Sequence, residues 1–316
     1  MKKPTRREML EMTAAMAAFP LTAHATSQAP ANPAGTLRFF PGFASKRVTT
    51  SGAEINLVHA GSGPPLLLMH GAPQTHVSMR LIATELAKDY TVIVPDLRGY
   101  GDSSKPPDGE NHANYSKRAM ALDQVEVMKS FGFNKFAVVG HDRGGRVAHR
   151  MALDHADKVT RLAVLDIIPT YYLYTHVDIR FIQAYFHWFN NVRAAPAPEN
   201  DLKAQYEAQK ARATNEVQLE YLRTSSEPAN IHAMCEDYRA GASIDLEHDQ
   251  ADLAKKVACP LMTLWGLKGP MGRIYDVLAI WKERGVTVSG KGLGGGHNLQ
   301  EDVPGEVLAE LRPFLR

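Results

Sequence analysis

The residues best suited to chemistry lie in FAVVGHDRGGRVAHRMAL, residues 136–153. Gly140, His141, Asp142, Arg143 and Gly144 fill the pattern glycine, any residue, nucleophile, any residue, glycine, with aspartate in the slot that serine usually holds. The apolar residues 136–139 read as a buried strand, and a helix is expected from near Gly144. Small neighbours let the chain turn sharply from strand to helix, which would leave the Asp142 carboxylate exposed above a sheet. A carboxylate nucleophile attacks carbon and leaves an ester on the enzyme. That chemistry suits displacement at a saturated carbon bearing a leaving group, as in halide or epoxide opening, rather than acyl transfer.

Such an ester must be hydrolysed, and the chain order nucleophile, acid, histidine places the base late in the sequence. His297 fits, because it follows three glycines at 294–296 that let an imidazole reach back over the elbow. The orienting acid most often follows the strand after an insertion, but residues 266–273 contain no carboxylate. Asp166, at the carboxyl end of the apolar run RLAVLDI, is therefore the expected acid. It lies where α/β sites gather, and a buried carboxylate there needs a partner; the plainer alternative is a helix cap or loop anchor. The backbone N–H groups of Arg143 and of Ala72, in the segment HGAP, would form the oxyanion hole.

Arg143 and Arg146 stand three apart at the start of the elbow helix and can share one face. Together they could clamp a substrate carboxylate, helped by the positive end of the helix. Alternatively, one or both pair with acidic residues on the protein surface. His187 and Trp188 lie on an aromatic segment, and with Tyr238 they offer neutral N–H and O–H donors of the kind a departing halide needs. Core packing is the alternative for the His-Trp pair, and a structural phenol for Tyr238.

The elements that must hold these residues follow from hydrophobic periodicity. Residues 46–50 and 54–59 read as an opening antiparallel hairpin, and the continuous apolar run 64–71 as a strand covered on both faces. A helix ends near Ala87, a strand starts at Thr91, a helix spans 116–131, and residues 161–167 form the strand after the elbow helix. This alternation predicts a parallel sheet with right-handed crossovers. It stops over 168–258, which reads as an inserted helical cap, and resumes with a strand at 259–266, a helix around 275–284, a strand at 286–290 and a final helix.

At 316 residues and 44% hydrophobic content, one large α/β domain with an insertion is expected, over 37–167 and 259–316. A net charge of +2 gives no case for nucleic acid or a membrane surface, so the expected partner is a small molecule. Cys235 and Cys259 have no metal spacing and are expected to be free. Residues 1–25 are basic, then mildly apolar, and end in an A-x-A pattern. With Arg6 and Arg7 they read as an export signal of the twin-arginine type, implying a periplasmic enzyme with no membrane anchor after cleavage. The alternative is a disordered tail on a cytoplasmic one. Residues 26–36 read as a Pro/Ala linker with nothing to bury.

Together, HGAPQTH, DLRGYGDSSKP, GHDRGGRVAHRMALDH, AVLDIIPT, HWF, YRAGASIDLEHD, CPLMTLWG and GGGH resemble the haloacetate dehalogenases of the α/β-hydrolase superfamily, from about Phe40 to the C-terminus. The resemblance implies an α/β-hydrolase core, a mostly parallel eight-stranded sheet with helices on both faces, carrying a helical cap. It implies Asp142 as nucleophile, Asp166 and His297 as acid and base, Arg143 and Arg146 as carboxylate clamp, and His187, Trp188 and Tyr238 as halide site. No metal or organic cofactor is implied, and a homodimer is. The chain departs from the family pattern at Ala72, where an aromatic is common, at Met79, near a tryptophan position, and at Asn298. Smaller or more flexible side chains at 72 and 79 imply a larger pocket beside the nucleophile. The reaction expected is hydrolysis of a short 2-haloacid to a 2-hydroxy acid through an aspartyl ester. The rivals are an epoxide hydrolase using the same aspartate with cap tyrosines such as Tyr171, Tyr172 and Tyr185, and a ligand-binding protein without catalysis.

Overall fold

A computed structural model describes residues 33–316, so the expected leader and most of the linker lie outside the described residues. The linker's last residues are not free of the domain. Pro33–Thr36 form a helical turn, and Thr36 is buried with its hydroxyl 3.0 Å from His76 Nε2. A polar residue with a buried hydrogen-bond partner anchors a segment whose composition alone read as a spacer.

Eight strands form one sheet: β1 (Ala44–Thr49), β2 (Glu54–Ala60), β3 (Pro65–Met69), β4 (Thr91–Pro95), β5 (Phe136–His141), β6 (Val159–Leu165), β7 (Leu261–Gly266) and β8 (Val288–Leu293). Their spatial order is β1-β2-β4-β3-β5-β6-β7-β8. The β1–β2 and β2–β4 pairs are antiparallel and all others parallel. The central strands read as unbroken apolar runs because both faces are covered. In β3, Leu67 and Met69 enter one core cluster while Leu66 and Leu68 enter the other, and β5 and β6 alternate in the same way.

Register does the positioning. Met69 lies opposite Gly140, and His141 opposite Leu165, so the residues that follow β3, β5 and β6 emerge side by side at one edge. β6 ends at Leu165, releasing Asp166, although the Asp166 N–H still donates to the Leu264 carbonyl at 2.7 Å. The elbow helix runs from Asp142 to Asp154, two residues earlier than the glycine spacing suggests. The loop after β4 is gathered around the buried Asp96, whose carboxylate accepts from Asn56 Nδ2 and from the backbone N–H groups of His76 and Asp102.

Between β6 and β7 the chain forms seven helices, among them Phe186–Asn191, Ala197–Lys210 and Pro228–Gly241. Their starts carry local signals: Asp178 and Asn215 cap by accepting from Phe181 N and Gln218 N, and Pro228 occupies a first-turn position where no N–H is needed. Among the described residues no helix is long and apolar enough to cross a membrane. Cys235 and Cys259 are unpaired.

The elbow depends on missing side chains. A Cβ at Gly144 would lie 2.5 Å from the His70 carbonyl oxygen, while the Gly144 N–H donates to that same oxygen at 2.9 Å. Gly144→Ala is expected to destabilise the fold by about 1–3 kcal/mol through overpacking, outweighing the gain of ~1 kcal/mol in helix propensity. Urea denaturation measures this, and an unchanged midpoint would mean that the end of β3 yields freely.

Candidate active site

Asp142 has φ 44, and Asp166 has φ 53; they are two of four non-glycine residues with positive φ among the described residues. Such backbone costs roughly 1–3 kcal/mol and persists where surrounding structure enforces it. Here the glycine-packed turn enforces it for Asp142. Its Oδ2 accepts a hydrogen bond from the Ala72 N–H at 3.1 Å. The Ala72 N–H points there because of His70. The His70 Nε2 accepts from Leu97 N at 3.0 Å, so its Nδ1 carries the proton and donates to the Gly71 carbonyl at 2.8 Å. A trans peptide directs its C=O and N–H oppositely, so anchoring the Gly71 carbonyl aims the next N–H at the carboxylate. The Arg143 N–H belongs to the first turn of the elbow helix, whose N–H groups have no intrahelical acceptor.

His297 and Asp166 meet, with Nδ1 2.6 Å from Oδ2. The other oxygen of Asp166 accepts from the Gly266 N–H at 2.8 Å, so a buried carboxylate is satisfied on both sides. The loop carrying His297 is fastened by the Gly296 N–H to Asp302 Oδ2 at 2.8 Å. It is fastened again from the elbow, where His141 Nε2 lies 2.9 Å from the His297 carbonyl and Gln300 Nε2 donates to His141 Nδ1 at 3.2 Å. That pattern requires a neutral His141, and burial pushes its pKa down to about 3. For Asp142, burial raises the pKa, but His297, His141, Arg143 and Arg146 outweigh it and leave the carboxyl at about 2. For His297, burial lowers the pKa, but Asp166 and Asp142 more than compensate, and the net shift is upward. The geometry thus holds an ionised carboxylate beside an imidazole whose outward nitrogen is free for water.

The two arginines differ. Arg146 lines the cavity above Asp142, and its Nη1 donates only to neutral groups, the Ile168 carbonyl at 3.1 Å and the Thr170 hydroxyl at 3.0 Å. Its Nε is buried without a partner, and Trp188 covers the guanidinium at 4.6 Å. Arg143 is not in the cavity wall. Its Nε donates to Asp237 Oδ2 at 2.7 Å and its Nη2 to the Asp237 carbonyl at 2.7 Å, while Nη1 has no partner. Asp237 also accepts from the Tyr100 hydroxyl at 2.5 Å and from Lys117. Arg143 therefore has the acidic partner that the sequence left open, but in the interior and on a cap helix.

The cavity has a volume of about 320 Å³. Its wall includes Asp142, Asp166 and His297, and, from the cap, Tyr185, His187, Trp188 and Tyr238. The ring centroids of His187 and Trp188 lie 5.9 and 5.7 Å from that of Tyr238. Burial lowers the His187 pKa, so its imidazole is neutral, and burial raises that of Tyr238, which keeps its proton. Ala72 also lines the cavity, but Met79 does not: it is fully buried in the core beneath the sheet edge, so its size has no direct effect on the pocket.

The α/β hydrolase fold family matches residues 64–302. The chain is 45% identical over 288 residues to a fluoroacetate dehalogenase of Burkholderia sp., covering 87% of this chain and 95% of that protein. It is 34% identical over 276 residues to a soluble epoxide hydrolase of Corynebacterium sp., covering 82% and 92%. Among solved structures, a protein of Nostoc sp. PCC 7120 assigned to the α/β hydrolases superposes with TM-score 0.84 at 50% identity, covering 86% of this chain and 98% of that one. The chain belongs to the α/β-hydrolase superfamily and, within it, to the haloacetate dehalogenase family.

Sequence reasoning passed over His70, His141 and Asp237. The first two adjoin recognised motifs, yet nothing local announces which carbonyl each would hold. Asp237 lies 94 residues from its arginine, so only the packed cap reveals it. Asp237→Asn would leave two buried cations, Arg143 and Lys117, short of a counter-charge. The expected cost is about 3–5 kcal/mol, measured as a lowered denaturation midpoint; a loss under about 1 kcal/mol would instead class the pair as weakly coupled.

Proposed function

We propose that this α/β-hydrolase cleaves the carbon–halogen bond of 2-haloacids, giving a 2-hydroxy acid and halide through an ester on Asp142. The observation that carries the reading is one cavity combining the carboxylate of Asp142, the buried guanidinium of Arg146, and neutral donors from the cap. An apolar epoxide has no use for the arginine, and an acyl substrate has no use for a carboxylate nucleophile.

In this mechanism Arg146, with Arg143 contributing only its field, takes the substrate carboxylate and sets C2 over Asp142. Oδ2 is already on the Ala72 N–H, so Oδ1 attacks C2 in line and Oδ2 becomes the ester carbonyl oxygen. The carbon–halogen bond breaks, and the halide leaves towards His187, Trp188 and Tyr238. His297 then takes a proton from water, with Asp166 holding the imidazole tautomer and stabilising the imidazolium that forms. The resulting hydroxide adds to the ester carbonyl carbon, and the N–H groups of Ala72 and Arg143 stabilise the oxyanion. Cleavage between that carbon and the substrate oxygen releases the hydroxy acid, which recovers the proton from His297. Asp142 keeps an oxygen from water and loses the remaining proton to solvent, which restores its carboxylate.

A second reading is epoxide opening. It is favoured by Tyr185, whose buried hydroxyl has no partner and which lines the same cavity as Tyr238. Diol formation from styrene oxide without halide turnover would select it. We also propose export through the twin-arginine leader; N-terminal sequencing of secreted protein that starts beyond residue 25 would support it, and an intact Met1 on cytoplasmic material would oppose it.

Halide release from chloroacetate and fluoroacetate is the direct test. Asp142→Asn is expected to abolish turnover, and His297→Asn to stop after one alkylation, seen as added mass on intact protein. Single turnover in labelled-oxygen water should put the label into Asp142, and label appearing directly in the product would sink the ester mechanism. The pH dependence separates the two half-reactions. Asp142 stays ionised down to about 2, whereas His297 is protonated below a pKa raised above its usual 6.5. As pH falls through that value, steady-state kcat should drop while a stoichiometric burst of halide remains. Asp166→Asn should move this acid limb to lower pH.

A further inference from the structure

The cavity is much larger than a haloacetate needs. A two-carbon acid with one halogen displaces only a few waters, each taking roughly 30 Å³ of liquid volume. The volume of about 320 Å³ instead reaches the range in which pockets hold drug-sized ligands, about 300–1,000 Å³. The groups assigned to chemistry account for one part of the wall. The rest is uncharged: Ala72, Pro73, Leu173, Leu202, Met234 and Met271 are apolar, and Asn191, Gln205 and Gln209 are neutral amides. Tyr206 adds its ring to this part, its hydroxyl being turned onto Met234 Sδ at 3.6 Å. No charged side chain stands in that surface, so a second acid or an amine would find no counter-charge there, and the apolar side chains favour hydrocarbon.

Two features fix where the hydrocarbon attaches. The substrate's carboxylate end is committed to Arg146 and its halogen end to the cap donors, which leaves C2 as the atom free to carry a substituent. Ala72 stands directly beside the nucleophile, since its own N–H touches Asp142, and its methyl leaves the space next to C2 open.

We infer that the enzyme's substrates are 2-haloacids with a sizeable apolar group on C2, an alkyl chain of several carbons or an aryl ring, rather than haloacetates. The inference rests on the dehalogenase reading and names the substrate class of that site. The bond changes are those of the proposed mechanism, with the substituent a spectator that gains affinity by leaving water.

The experiment is chloride release by the wild-type enzyme from chloroacetate, 2-chlorobutyrate, 2-chlorohexanoate and 2-chloro-2-phenylacetate, both enantiomers of each chiral acid being assayed. The expected result is a rise in kcat/KM of at least about 10-fold from chloroacetate to the better enantiomer of 2-chlorobutyrate, the discrimination a hydrophobic pocket gives for one or two carbons. The phenyl acid should be turned over as well. A fall in kcat/KM with each added carbon overturns the inference while leaving the dehalogenase reading intact. No chloride from any member overturns the reading itself. Two variants test the wall without depending on absolute activity. Leu202→Phe and Met271→Phe should each lower the ratio of kcat/KM for the phenyl acid over chloroacetate by about 10-fold or more, and a ratio unchanged in both would remove the apolar wall from substrate selection.

Discussion

A carboxylate that must stay charged inside an enclosed cavity constrains the whole molecule. Burial alone would push Asp142 towards its neutral, unreactive form. The fold answers with positive charge and with one hydrogen bond, from a backbone N–H that cannot titrate. The two arginines carry different obligations. Arg146 is bound only to neutral oxygens and so remains available to an anion, whereas Arg143 is held by Asp237 and acts chiefly through its field. Had both lacked acidic partners, two buried guanidinium groups three residues apart would have repelled one another with nothing to offset the cost.

Sheet register converts this electrostatic requirement into geometry. The loop carrying Ala72, the proposed nucleophile Asp142 and its proposed acid Asp166 each follow a strand, and those strands are neighbours in the order β3, β5, β6. Parallel pairing makes equivalent residues emerge together, so a few residues of turn suffice to bring Ala72, Asp142 and Asp166 into one site. His297 has farther to come, and its loop is accordingly the most heavily fastened, through Asp302, Asp166 and His141. An imidazole delivered by a loop needs such ties, because a displacement of about 1 Å at the reacting centre can cost about 100-fold in rate.

What was legible in the sequence follows the same division. The core strands announced themselves because burial on both faces leaves no polar position, and the elbow because only glycine fits where backbone meets backbone. The meeting of Asp166 with His297 was legible by exclusion, as the carboxylate in an apolar strand end when the loop after β7 offered none. The helix start at Asp142 was misjudged by two residues, since glycine spacing marks the turn rather than the first helical hydrogen bond. The linker's end was misread because composition cannot see that Thr36 finds His76. Met79 was wrongly assigned to the pocket for a related reason: it ends a short helical turn, His76–Met79, whose side chains are buried, and its own side chain packs in the core. The Arg143–Asp237 pair was out of reach altogether, because an ion pair between core and cap is a property of the packing.

That pair also bears on how cap and core act together. Arg143 follows Asp142 directly, and Asp237 precedes Tyr238, so one buried ion pair joins the residue beside the proposed nucleophile to the residue beside a proposed halide donor. Lys117 extends the same network to Asp245, and Tyr100 ties it to the loop after β4. The cap is therefore not a lid resting on an otherwise complete site. Its helix Pro228–Gly241 is gripped through Asp237, side chain and carbonyl alike, by the same elbow that presents Asp142. Any shift of that helix would have to break charge-assisted bonds in a dry interior, where each is worth far more than at the surface. Such a connection is rigid at the elbow's end, and Leu173, Leu202 and Met271 of the cavity wall take no part in it.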